Sequence, residues 1–410
     1  MRSIAVIGAG ITGVTAAYNL LDKGYAVTVF DRHRYPAMET SLANGGQLSA
    51  SNAEVWNSWS NILHGLAWVF RKDAPLLMRL RPDWHKVSWL AEFIAGIRNY
   101  EANTIATAKL AVAAREHMFA IAEREQIRFD LEKRGILHVY RDRAGYEHAA
   151  KVNALLAQGG LERRAVTPQE IAQIEPSLNG EWYGGFFTPS DSTGDIHKFT
   201  CGLTEACVRR GATLRLDTDV TAATATNDKV EIAWAPRCAA SGKGERAMFD
   251  GVVISAGVAS RRFARMLGDH VNVYPVKGYS ITVVLDDQAS RDAAPWVSLL
   301  DDDAKIVTSR LGPDRLRVAG TAEFAGENRD ILASRIEPLV KWTRKLFPAV
   351  NTADVTPWAG LRPMMPNMMP YVGPGRRPGV FYHTGHGHLG WTLSAATAHS
   401  LAAIVEARLA

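Results

Sequence analysis

Three glycines and one carboxylate near the N-terminus are spaced for binding phosphates and a ribose. Gly8, Gly10 and Gly13 follow the apolar run Ile4-Ala-Val-Ile7, and Asp31 ends a second apolar run, Ala26-Val-Thr-Val-Phe30. Each has a physical task. Gly8 permits a tight turn, Gly10 lets a pyrophosphate approach the backbone, and Gly13 lets helix and strand pack closely. A helix starting here offers N–H groups and the positive end of its dipole to phosphate. Asp31 can accept hydrogen bonds from a ribose diol. The chemistry implied is dinucleotide binding, by NAD or FAD alike.

These residues need a strand–turn–helix–strand unit, and residues 1–35 read as one. Residues 36–55 are small and polar, with Asn44-Gly45-Gly46-Gln47 at their centre, and read as a loop that approaches something closely. Residues 56–130 carry helical periodicity, 134–142 alternate like a strand, and 144–176 return to helix. From 181 the chain resumes the nucleotide-binding scheme: Trp182–Phe187 is strand-like, Ile196 to Arg210 is an amphipathic helix, and Asp250 to Gly257 is a buried strand ending in small residues. Residues 271–325 alternate as an antiparallel sheet with one covered face. A helix follows over 330–347, and another closes the chain from Thr392 to about Ala407. The expected fold is α/β: a Rossmann-like dinucleotide-binding domain of 1–55, 181–265 and 355–410, with an inserted mixed α+β substrate domain of 56–180 and 266–354.

Bulk properties set limits. A chain of 410 residues calls for about two or three domains. Its 47% hydrophobic and 22% charged content is ordinary for a globular protein. A net charge of +5, thinly spread, suits an anionic cofactor and not nucleic acid. Cys201, Cys207 and Cys238 are odd in number and lack metal-ligand spacing, which points to a reducing compartment. The first strand begins at Ser3 or Ile4, so no signal peptide is expected. No stretch reaches the roughly 18 apolar residues that span a bilayer. Residues 61–98 place Trp and Phe beside Arg71, Lys72, Arg79 and Arg81, a pattern of a membrane-surface helix or of ordinary core-facing helices. Asp195 reads as an N-cap, with His197 in the first turn behind it. His386 and His388 lack the other ligands of a metal site, and no metal is expected.

Four further segments carry a family likeness: Glu39 to Gln47, Tyr274-Pro-Val-Lys-Gly-Tyr279-Ser280, Trp358-Ala-Gly360-Leu-Arg362-Pro363, and Thr384-Gly-His386-Gly387-His-Leu389-Gly390-Trp391-Thr392. With the fingerprint, in this order, the chain resembles the FAD-dependent D-amino-acid oxidase superfamily over nearly its whole length. It is most similar to the bacterial D-amino-acid dehydrogenase small subunits.

The resemblance implies FAD as the dinucleotide. Ser41, Asn44, Gly45, Gly46 and Gln47 would run beside the ribityl chain and flavin ring. Val220 would meet the adenine, and Ala256 and Gly257 the pyrophosphate. Gly387, Leu389, Gly390, Trp391 and Thr392 would bring a helix N-terminus to the flavin, and His386 would line the pocket or tune the ring. Arg362 would clamp the substrate carboxylate, since a guanidinium forks onto it with two parallel charge-assisted bonds. Tyr279 would add a phenol bond to the carboxylate or amine. The implied reaction is oxidation of a D-amino acid, with Cα–H hydride passing to flavin N5 and the imine hydrolysing to a 2-oxo acid and ammonia. No side-chain base is signalled, so water would take the amine proton. A quinone-type acceptor would place a cytoplasmic protein on the inner membrane face as a peripheral partner. The same likeness leaves room for glycine, sarcosine or D-hydroxyproline as substrate. A flavin-binding subunit of an electron-transfer complex is the alternative of a different class.

Overall fold

In the computed structural model, residues 1–68, 76–78, 83–237 and 244–409 are described. Four sheets organise them. The first has six strands in the order Tyr371–Pro374, Val380–Thr384, Gly251–Ile254, Ser3–Ile7, Ala26–Phe30 and Thr213–Arg215. All its neighbouring pairs are parallel except the outermost, Tyr371–Pro374 on Val380–Thr384. Its strands are apolar on both faces because both faces are covered. On one face pack helices Ile11–Asp22, Ile196–Arg209 and Gly390–Leu409, around Val14, Phe199, Leu203 and Leu401. On the other, Phe30, Val252 and Ile254 meet a three-stranded antiparallel sheet of Thr218–Ala225, Val230–Pro236 and Glu245–Phe249.

A mixed nine-stranded sheet forms the second large layer. Its longest strand, Tyr274–Val284, lies next to the edge strand Val355–Met364 and is flanked on the other side by Arg315–Phe324, antiparallel to both. Beyond these come Ile306–Arg310, Ser298–Asp301, Ile136–Tyr140, Gly184–Thr188 and Arg164–Val166. Helix Ala333–Leu346 covers one face through Leu339, Trp342 and Leu346. The short strand Leu76–Met78 joins parallel to Arg315–Phe324.

The α/β class with a parallel dinucleotide-binding sheet is the architecture observed. The sheets divide the chain differently from the expected ranges at two places. Gly184–Thr188 and Val355–Met364 pair within the nine-stranded sheet, although 181–265 and 355–410 were assigned to the nucleotide-binding domain. Pairing partners so distant along the chain leave no local trace. Helix Tyr100–Arg124, expected in the insert, buries Met118, Ile121 and Ala122 in the core of the six-stranded unit. Strands Leu76–Met78 and Arg164–Val166 interrupt stretches that read as helix. The basic residues Arg71, Lys72, Arg79 and Arg81, on which the membrane-surface pattern rests, and Cys238 lie outside the described residues.

Candidate active site

A cavity of about 1700 Å3 runs from the glycine turn, along the 39–49 loop, to the nine-stranded sheet. Its first end is built by the fingerprint. Gly8 has φ of +114°, and a side chain there would collide with the Ser255 carbonyl. A Cβ on Gly13 would collide with the Gly8 carbonyl, so helix and strand touch there. Gly10, the residue before the helix, faces the cavity with only Ser41 Oγ near the position of its missing Cβ. Ser41 Oγ accepts the Ile11 N–H at 3.0 Å and so helps cap this helix. Asp31 accepts the Ala9 N–H at 2.7 Å and the His33 N–H at 2.8 Å, which holds the turn in shape. Val220, Ala256 and Gly257 line the same end, and the Val220 carbonyl accepts from Arg262 at 3.2 Å.

The Ser41–Gln47 loop is pinned onto the nine-stranded sheet. The carbonyls of Ala43, Asn44 and Gly45 accept from Ser280, Arg317 and Ser309, and the Gln47 amide reaches Ser298 at 2.8 Å. A Cβ on Gly45 would crowd Val307 at 2.9 Å. The loop's small residues therefore let one chain segment lie flat on the nine-stranded sheet while facing the cavity.

At the far side, the turn Gly387–Leu389 leads into helix Gly390–Leu409, whose first turn lines the cavity. Thr392 Oγ1 accepts the Ser49 N–H at 3.1 Å. The Trp391 indole packs against Phe129 and Phe199 in the core, so this residue meets the cavity through its backbone side. His386 Nε2 pairs with Thr397 Oγ1 at 3.0 Å, while its buried Nδ1 has no partner among the described residues. Burial holds His386 well below the ordinary histidine pKa. His388 stacks on Trp56 at 4.7 Å and points Nε2 to the Asn52 carbonyl at 3.3 Å. Burial, and then the nearby Arg362 charge, lower its pKa to about 4.

Arg362 stands on Val355–Met364, two residues from Gly360, with its side chain over Gly278 of the paired strand. A Cβ on Gly278 would collide with the guanidinium, and one on Gly360 with the Trp358 ring. The spacing of the two glycines thus clears a slot for Arg362 and Trp358 on one sheet face. One guanidinium nitrogen donates to the Thr321 carbonyl at 3.0 Å. Among the described residues no carboxylate pairs with Arg362, and burial lowers its pKa to about 10, which leaves it charged at neutral pH. A charge so placed calls for an anion.

Tyr279 borders the cavity, but its hydroxyl is engaged elsewhere. Val276, Gly278 and Ser280 alternate onto the cavity face with Arg362, so Lys277 and Tyr279 point to the opposite face. There the Tyr279 phenol donates to Glu323 at 2.6 Å, Lys277 pairs with Glu323 at 3.1 Å, and the Tyr279 ring packs with Leu339 and Ile281. Its hydroxyl serves the buried ion pair. Asp195 is the N-cap expected, accepting the N–H groups of His197 and Lys198.

Sequence reasoning passed over Thr321. It has φ of +60°, rare for a β-branched residue, lines the cavity beside Arg362, and its buried hydroxyl has no partner among the described residues. Trp56 and Asn52 were also passed over; the buried Asp191, in the segment leading to the Asp195 cap, anchors the loop by accepting the Ala50 and Ser51 N–H groups at 3.0 Å and an Arg115 bond at 2.8 Å.

The residues fit FAD on structural grounds. The glycine cradle is open at Gly10, the acid is in place at Asp31, and the buried Ser255 hydroxyl and His386 Nδ1 on the cavity wall await partners. Contacts come from segments far apart in the chain, as an elongated flavin dinucleotide needs. Fold and site together define a two-layer flavoprotein oxidoreductase. The chain belongs to the FAD dependent oxidoreductase family, whose model matches residues 3–404. It is therefore an FAD-dependent enzyme.

Relatives agree. The chain is 62% identical to D-amino acid dehydrogenase 3 of Mesorhizobium japonicum, over all of this chain and 98% of that one. It is 38% identical to D-amino acid dehydrogenase of Dechloromonas aromatica, over 99% and 97%. Among solved structures, glycine oxidase from Geobacillus kaustophilus superposes with a TM-score of 0.77 at 20% identity, over 100% of this chain and 96% of that one. The FAD-bound L-alpha-glycerophosphate oxidase from Mycoplasma pneumoniae gives 0.71 at 16%, over 99% and 94%. These structural likenesses concern the fold.

Proposed function

We propose that this protein oxidises D-amino acids to 2-oxo acids and ammonia. The observation that carries the reading is Arg362: a charged guanidinium without a carboxylate partner among the described residues, on the wall of the cavity that the nucleotide cradle opens into. It would fork onto the substrate carboxylate and fix the amino acid against the sheet. The D configuration is supported by the names of the 62% and 38% identical relatives.

Each remaining group has a definable task. His388, neutral at physiological pH, adds no competing charge beside Arg362, and its contact with Asn52 assigns the proton to Nε2. The free Thr321 hydroxyl can accept from the substrate amine or donate to its carboxylate. Bound FAD supplies the two-electron acceptor for the hydride released at Cα. The apolar walls keep solvent from the reacting carbon, while water takes the amine proton and later hydrolyses the imine.

The acceptor in this reading is a quinone-type molecule delivered at a membrane surface. The relatives are named dehydrogenases rather than oxidases. Trp59, Leu63, Trp84, Val87 and Ile94 are exposed apolar side chains, with Trp59 at 61% and Trp84 at 79% exposure, and they flank the segment that also borders the cavity. No helix among the described residues is long and apolar enough to cross a membrane. This face would lie on the lipid rather than span it.

One anaerobic experiment tests the reading. Mixing the yellow holoenzyme with D-amino acids should bleach the flavin absorbance, and the L-enantiomers should not. Quinone-bearing phospholipid vesicles should then restore the colour faster than dissolved oxygen. Bleaching by glycine or sarcosine alone would transfer the reading to that neighbouring activity. No bleaching by any amino acid would leave a flavin-binding electron-transfer subunit in its place.

A further inference from the structure

We infer that the cavity selects D-amino acids with bulky apolar or aromatic side chains over small or charged ones. The inference rests on the amino-acid-oxidising reading and narrows it. Val276 is the register partner of Arg362, so the two side chains stand side by side on one sheet face. From Val276 an apolar wall spreads away from the carboxylate clamp. Phe324 and Leu76 continue it on the neighbouring strands, which pair in parallel. Trp89 and Phe93, stacked at 5.1 Å, carry it onto helix Trp84–Ala95. Trp56, lying on His388, closes the other side. All six line the cavity, and none belongs to the cradle that fits the cofactor.

Along this wall the Trp89 indole is engaged, and the polar atoms without a partner among the described residues, His85 Nε2 and the Thr321 hydroxyl, stand at its margins and are neutral. The Trp89 indole N–H donates to the Met364 carbonyl at 2.9 Å. His85, where the wall ends, is kept neutral at physiological pH, with burial and then Arg261 lowering its pKa to about 4. A charged substrate side chain laid along these six residues would give up hydration without gaining a charged partner. A methyl group would leave the wall unfilled. A phenyl or branched aliphatic group would cover it, and each buried methylene adds discrimination of the order seen in apolar specificity pockets. Arg261 and Arg265 border the cavity beyond His85, so a long acidic side chain is the competing occupant.

Two measurements decide it. The first compares kcat/KM of the holoenzyme for D-phenylalanine, D-leucine, D-alanine, D-glutamate and D-lysine. The apolar pair should exceed D-alanine by about tenfold or more, with the charged pair lowest. In Leu76→Ala, which trims a partly exposed residue and should fold, the D-phenylalanine to D-alanine ratio should fall several-fold. D-alanine, D-glutamate or D-lysine leading, or a ratio unmoved by the substitution, overturns the inference and leaves the D-amino-acid reading standing. The second measurement needs no turnover: flavin absorbance reports binding of 3-phenylpropanoate against propanoate. About tenfold tighter binding of the aromatic acid is expected. Equal affinities overturn the inference even where no D-amino acid reduces the flavin, an outcome that removes the underlying reading separately.

Discussion

Arg362 and Asp31 sit at opposite ends of one cavity and do opposite work. Asp31 has both oxygens engaged by the backbone N–H groups of Ala9 and His33, so it shapes the cradle whose wall it lines. Asp31→Ala therefore leaves two amides without their acceptor. FAD affinity should fall by about tenfold or more, about 1.4 kcal/mol, read as flavin lost from the protein on dialysis. Full flavin retention would show that Asp31 is dispensable to the cradle. Both positions line the cavity, and both were legible in the sequence from residue type and neighbours. Tyr279 was not. Its residue type suited a substrate contact, but strand parity decides which face it takes, and Lys277 and Glu323 hold it on the far side. Thr321 was invisible for another reason: its positive φ arises from tertiary contacts, and nothing in a threonine announces it.

At the scale of elements, the slot for Arg362 belongs to two paired strands rather than to one motif. Gly278 on Tyr274–Val284 must lack a side chain because the guanidinium occupies that space. Gly278→Ala should displace Arg362 while the cofactor cradle, built elsewhere, stays intact. The expected outcome is a loss in kcat/KM of about a hundredfold, carried mainly by KM, with normal flavin content. A variant with unchanged kcat/KM would show that the slot is not closely packed. The two motifs were visible in sequence, but not that one makes room for the other. Strand register between segments more than eighty residues apart, pairing Gly278 with Gly360 and Val276 with Arg362, supplied that link. The same non-local pairing explains why Gly184–Thr188 and Val355–Met364 lie in the nine-stranded sheet despite their nucleotide-domain neighbours in sequence. The helix N-cap at Asp195, by contrast, is a local device and was read directly.

For the whole molecule, buried neutral histidines tie the cores of the two sheets to pH. Burial lowers His383 to about 4 and His386 well below its usual value, and burial with the Arg362 charge lowers His388 to about 4. In the unfolded chain these groups titrate near 6.5. Between about 6.5 and 4 the unfolded chain therefore binds protons that the folded protein refuses, and stability present near neutral pH is lost as pH falls. The unfolding midpoint of the holoenzyme should drop by roughly 5 °C between pH 7 and pH 5, and His383→Asn should flatten the slope. A midpoint independent of pH in that window would count against neutral burial. The α/β architecture and the fingerprint end of the cavity were readable in sequence. At the substrate end only Arg362 was, because the rest of the wall combines a helix, a short strand and a loop that meet only in the folded chain.

The claim that most needs testing is that Arg362 is a carboxylate clamp beside a flavin, rather than a structural cation. Rapid anaerobic mixing of Arg362→Ala with a D-amino acid measures it most directly. The account predicts full flavin content, unaltered folding, and flavin reduction slowed by about a hundredfold or more at subsaturating substrate. Reduction at the wild-type rate in the yellow, folded variant would contradict it.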